Sequence, residues 1–177
     1  MKTVLKHFSL CCTFLILTFS CVTPGRKQVT ILETTDIHGV IMPYDYIEKE
    51  DLKASLASAC TYVSNLREEN KAVVLLDDGD NLQGQPAVYY YNFVDTTSPH
   101  LLAEAMNYMA YDAVTVGNHD VETGHSVYDR LKKEYKFPLL AANAVDIQSG
   151  DPYFKPYYIV KKGWCQNSCP RACNANY

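Results

Sequence analysis

"AVVLLDDGDNLQG", residues 72–84, holds the end of a strand and the start of a polar loop. Ala72 to Leu76 is an unbroken apolar run stopped by acidic residues and a glycine. Such a run predicts a strand buried on both faces, as in a parallel sheet covered by helices. The flanking sequence agrees. Upstream, Leu52, Leu56, Ala59, Cys60, Val63 and Leu66 fall at helical spacing and predict an amphipathic helix over 52–67. Before it, "QVTIL" (28–32) is a short β-rich run. Downstream, "NLQGQPAVYYYN" (81–92) reads as a loop or irregular segment. A helical face recurs over 100–109, with Pro99 suited to a helix start. "DAVTVGNHD" (112–120) is a further strand and loop. A helix is expected over 126–135 with Ser126 as its N-cap, then strands within "FPLLAANAV" (137–145) and at 157–160. Strands alternating with helices predict an α/β fold with a largely parallel sheet.

The 177 residues suffice for one ordinary domain with a core. The net charge of −4 argues against non-specific nucleic-acid binding, which needs a basic face. Residues 1–25 read as an export signal: Lys2 and Lys6 precede the apolar "FSLCCTFLILTF" of residues 8–19, too short for an ordinary membrane span. The stretch ending in Ser20 and Cys21 also has the form of a bacterial lipoprotein signal, with Cys21 as the lipidated residue, although Phe19 departs from the usual small-residue pattern. Plain cleavage is the alternative. Either way the expected location is the periplasm or the cell surface. No protein partner is evident, and the cysteines do not form the even-numbered framework of a disulfide-stapled domain.

Ligand sites in parallel sheets form where loops leave the carboxyl ends of strands. Three such loops carry metal-binding residue types: Asp36-Ile37-His38-Gly39, Gly79-Asp80-Asn81 and Gly117-Asn118-His119-Asp120. In an extended segment Asp36 and His38 would point the same way and share one ion. Carboxylate, imidazole and amide oxygen together suit a divalent ion such as Mn²⁺, Zn²⁺, Fe or Mg²⁺. Each loop alone is an ordinary turn. Three in order, each after a short apolar run and with helices between, make a site. His7 falls in the signal segment, and His100 and His125 read as solvated or capping residues.

"ILETTDIHG" (31–39), "GDNLQG" (79–84) and "GNHDVETG" (117–124) together resemble the calcineurin-like metallophosphoesterases, in the branch of exported 5′-nucleotidases and 2′,3′-cyclic-nucleotide phosphodiesterases. The resemblance covers about residues 29–160 and only the N-terminal part of that family's catalytic domain. It implies part of a four-layer α/β/β/α sandwich with two divalent metal ions and a nucleotide substrate. By resemblance Asp36 and His38 hold the first metal, Asp80 bridges both, and Asn118 holds the second. His119 is the implied catalytic histidine. Its expected acidic partner, counted with it as catalytic, is the adjacent Asp120; the spacing seen in some of the branch points instead to Glu122 and leaves the partner open. The family pattern also needs later histidines, and none follows His125 here. The expectation is therefore phosphoester hydrolysis of nucleotides as the ancestral activity, with this chain inactive. The alternative is an exported, non-catalytic metal- or nucleotide-binding module.

The ending "VKKGWCQNSCPRACNANY" (160–177) fits none of this. Cys165, Cys169 and Cys173 could form a metal site, but the spacing is not a standard zinc pattern and no fourth ligand is near. The other reading is a shifted frame: one base later, codons compatible with this stretch can encode an apolar strand and a Thr-Pro turn. The expected organisation is thus a signal at 1–25, an incomplete catalytic domain at 26–163 and an aberrant, frame-shifted tail at 164–177.

Overall fold

The structure, a computed structural model, describes residues 28–69 and 72–162; the signal segment, Cys21 and the cysteine tail lie outside the described residues. The chain runs β1 (Val29–Thr34), a short hairpin of β2 (Tyr44–Asp45) and β3 (Glu50–Asp51), α1 (Leu56–Glu68), β4 (Ala72–Asp77), α2 (Pro86–Phe93), α3 (Leu101–Tyr108), β5 (Ala113–Thr115), α4 (Asn118–Glu122), α5 (His125–Glu134) and β6 (Leu139–Leu140). Four strands form one parallel sheet in the order β1-β4-β5-β6.

That order advances in one direction. Right-handed crossovers then place every connecting helix on the same face. The core agrees: it takes Leu32, Leu75, Val114 and Leu139 from one face of the sheet, and none of Ile31, Val74, Leu76 or Ala113 from the other. Leu102, Met106, Val127 and Leu131 supply the helical side. β4 is accordingly not buried equally on both faces. Val73, Leu75 and Asp77 are buried while Ala72, Val74 and Leu76 are half-buried. On β1 the second face is open, with Ile31 67% exposed. The described residues thus form a sheet with one helical layer, two of the four layers of the expected sandwich.

Local chemistry explains the remaining differences from the sequence reading. α1 starts at Leu56 because Ser55 caps it, its Oγ accepting from the Ser58 amide at 3.1 Å; Leu52 is tied instead to Pro43. The stretch read as irregular contains α2. Its tyrosines are weak helix formers, but Pro86 suits the first turn, Val88 is buried, and the Asn92 amide donates to the Leu82 carbonyl at 2.7 Å. α5 begins at His125, with Gly124 at φ 84° as its N-cap in place of Ser126. No strand forms at 157–160. Lys155 makes a single parallel bridge to Leu140, and Pro156, which has no N–H to donate, follows at once. His100 is fully buried: its Nδ1 accepts from the Leu102 amide at 3.2 Å, and its Nε2 lies 2.9 Å from Asn92 Oδ1. His125 is exposed and reaches the Tyr153 hydroxyl at 3.1 Å.

Candidate active site

The loops after β1, β4 and β5 leave the sheet at the same edge and are laced together. The Asp36 amide donates to the Gly79 carbonyl and the His38 amide to the Asp80 carbonyl, both at 3.0 Å. The Gln85 amide returns to the His38 carbonyl at 3.0 Å. Gly79, at φ 91°, faces Gly117 so closely that a Cβ would lie 2.4 Å from the Gly117 amide nitrogen. A Cβ on Gly117 would overlap the Asp80 carboxylate. Side chains at these two positions would push the β4 and β5 loops apart.

Asp36, His38 and Asp80 have left-handed backbones, at φ 51°, 48° and 59°. The Asp36–His38 segment is therefore a tight turn and not the extended run that alternation assumed. Each such residue costs about 1–2 kcal/mol. Three of the expected ligands carry this cost, as do Lys49 and Ala110 away from these loops. The turn still brings two ligands together, with His38 Nε2 3.7 Å from Asp36 Oδ1. His38 Nδ1 lies 2.9 Å from the Gln83 carbonyl, which can only accept, so Nδ1 carries the proton and Nε2 keeps its lone pair. Two ligands bound to one ion at about 2.0–2.2 Å sit about 3–4 Å apart, so the pair fits a divalent cation.

Asp80 Oδ1 accepts from the His119 amide at 2.9 Å. The His38 and His119 rings face each other with centroids 5.5 Å apart. Asn118 stands exposed at the start of α4. The expected ligands thus share one surface, but among the described residues no three His, Cys, Asp or Glu side chains converge tightly enough to enclose an ion.

The two acidic candidates beside His119 separate cleanly. Glu122 Oε2 is 3.0 Å from His119 Nδ1 and also accepts from Gln83 Nε2 at 3.1 Å. This hydrogen bond holds the His119 pKa above its ordinary value and the Glu122 pKa below. Asp120 does not touch the His119 ring. Its buried carboxylate takes backbone amides, Asp80 and Gly117 at 2.9 Å on Oδ2, Asn81 at 2.8 Å and Leu82 at 2.9 Å on Oδ1. Burial pushes its pKa up against those four bonds. Asp120 shapes the β4 loop, and Glu122 orients His119.

Sequence reasoning missed Asp77. This carboxylate is 2% exposed, and burial pushes its pKa up to about 6. The signal was present: Asp77 follows Val73 and Leu75 at period two, so it faces the core.

With the sheet order and the three loops in place, the chain belongs to the calcineurin-like phosphoesterase family, whose pattern matches residues 29–168. Within it, the chain is 38% identical over 144 residues to the trifunctional nucleotide phosphoesterase protein YfkN of Bacillus subtilis, covering 77% of this chain and 10% of that protein. It is 34% identical over 158 residues to the 2′,3′-cyclic-nucleotide 2′-phosphodiesterase/3′-nucleotidase of Yersinia enterocolitica, covering 86% of this chain and 24% of that one. A snake venom 5′-nucleotidase of Naja atra is 31% identical, over 78% of this chain and 27% of its own length. The crystal structure of YfkN superposes with a TM-score of 0.69 at 34% identity, covering 78% of this chain and 43% of that structure. The chain thus spans about a quarter or less of these curated relatives and matches their N-terminal part. The family comprises divalent-metal enzymes. No helix among the described residues is long and apolar enough to cross a membrane.

Proposed function

We propose that this chain is the metal-loop portion of a divalent-metal phosphoesterase acting on nucleotides, of the 5′-nucleotidase or cyclic-nucleotide phosphodiesterase type. The observation that carries it is the lacing of the Asp36–His38 turn onto the Gly79–Asp80 loop, with His119 opposite His38. Asp36, His38, Asp80 and Asn118 would hold the metal, which supplies Lewis acidity toward a phosphoryl oxygen. His119, with Nδ1 engaged by Glu122, presents Nε2 to the leaving oxygen. Its raised pKa favours the protonated ring, suited to a general acid.

These 177 residues supply a single imidazole to the ligand set, so the chain alone binds metal weakly and does not turn nucleotides over. Manganese titration followed by electron paramagnetic resonance tests this. The wild-type chain is expected to bind Mn²⁺, Asp80→Ala to lose binding at least tenfold, and neither to hydrolyse 5′-AMP or 2′,3′-cyclic AMP. A wild-type chain that folds and ignores Mn²⁺ would sink the reading. Turnover by this chain would sink its inactivity.

The same proposal covers the ends. Residues 1–25 direct export, with Cys21 lipidated or the signal simply cleaved, and 164–177 arise from a frame shift. Intact-mass analysis of the mature protein should show the signal removed and tells an acylated Cys21 from a plain N-terminus, and sequencing across Gly163 should recover an open frame of apolar strand character. A retained signal, or a shifted frame closed at once by stops, would refute the corresponding part.

A further inference from the structure

Four consecutive backbone amides, those of Gly79, Asp80, Asn81 and Leu82, end on two buried carboxylates: the first on Asp77, the other three on Asp120. Asp120 belongs to the site motif and Asp77 does not. We infer that Asp77 is a positioning residue that fixes the Asp36 turn against the Asp80 loop. The inference rests on Asp36, His38 and Asp80 being the metal ligands.

Asp77 is bonded on both sides of that junction. Its Oδ2 accepts from the Thr34 hydroxyl at 2.6 Å, and Thr34 ends β1 two residues before Asp36. Its Oδ1 accepts from the Gly79 amide at 3.0 Å and from Asn81 Nδ2 at 2.5 Å, the two residues flanking Asp80. The direction of each bond follows from proton accounting. Thr34 has one hydroxyl proton and gives it to Asp77, so the Tyr111 hydroxyl, 2.8 Å from Thr34 Oγ1, donates to Thr34. The order is Tyr111 to Thr34 to Asp77. The carboxylate receives three donors and gives none.

An asparagine at 77 would keep the shape but remove the charge and put an NH₂ at one oxygen position: facing Gly79 and Asn81 it meets two donors, and facing Thr34 it reverses the hydroxyl relay, so the charge-assisted bonds across the junction are lost either way. Its effect should appear where the loops meet: the Asp36 amide on the Gly79 carbonyl and the His38 amide on the Asp80 carbonyl.

Amide hydrogen exchange on the full chain reads those bonds directly. Asp77→Asn should lower protection at Asp36 and His38 by about tenfold or more, the loss of one charge-assisted hydrogen bond, while α3 and α5 stay unchanged. Unchanged exchange at Asp36 and His38, or a uniform loss across all helices, overturns the inference. If Asp77→Asn fails to fold, Thr34→Val decides. Protection lost at Asp36 but kept at Gly79–Leu82 supports the inference, and unchanged protection overturns it. Mn²⁺ titration of the same samples keeps the two readings apart. A wild-type chain with the expected exchange pattern but no Mn²⁺ binding would defeat the phosphoesterase reading and leave the loop junction standing.

Discussion

Asp120→Ala should destabilise the chain by about 3–5 kcal/mol, from leaving several buried amides without an acceptor. The cause is backbone, not catalysis. The substitution strips acceptors from the amides of Asp80, Asn81, Leu82 and Gly117 at once. A buried amide without a partner costs about 1–3 kcal/mol, and partial solvation of the opened loop recovers some of the total. For a domain of this size, each kcal/mol corresponds to about 2–4 °C, so Tm should fall by roughly 10 °C. Glu122→Gln is the control. Its side chain is exposed, so Tm should barely move, but the His119 pKa should drop as its partner loses charge. Thermal unfolding and NMR titration of the His119 ring read the two effects separately. Equal Tm values for Asp120→Ala and wild type would show that the loop does not depend on this carboxylate.

The second large effect is a concealed pH dependence. Asp77 titrates at about 6 in the folded chain against 3.8 unperturbed, with burial as the main cause. A raised carboxyl binds more protons folded than unfolded between those values, so its contribution falls as pH rises from about 4 to about 6. His100 runs the other way. Burial lowers its pKa from 6.5 to about 4, so the folded chain binds fewer protons and its contribution rises over nearly the same window. Each shift is worth about 3 kcal/mol, and the two offset each other. The wild-type chain should therefore show a nearly flat contribution from this pair between pH 4 and pH 6. His100→Asn should uncover the Asp77 slope and become more stable as pH falls through that range. Asp77→Asn should uncover the His100 slope and become acid-labile. Urea unfolding of the three proteins at pH 4.5 and pH 6.5 measures this, and parallel profiles would contradict it.

The sequence made some elements legible because their causes are local. β4 and β5 were readable from apolar runs, and the metal-type loops from residue kinds at the ends of those runs. α2 was not, because its helix depends on burial of Val88 and on the Asn92 bond to Leu82, which connect distant positions. The Asp36–His38 turn was placed correctly but with the wrong backbone. Nothing in three or four letters shows that a partner loop will hold them left-handed. The choice between Asp120 and Glu122 stayed open for the same reason. Both are one helical turn or less from His119, and only the β4 loop, 38 to 40 residues upstream, decides which carboxylate faces inward.

The inward turn of the 79–82 amides has a consequence for ligand preference. Many nucleotide-binding loops greet a phosphate with a concave row of free peptide N–H groups, an anion cradle made by the main chain. Here that row is already spent on the protein's own carboxylates. These four amides offer an incoming phosphate no donor, and the carboxylates that hold them add negative charge. Repulsion becomes attraction only once a cation stands between them, so under the proposed function these four residues would take part in phosphoester recognition only through a metal.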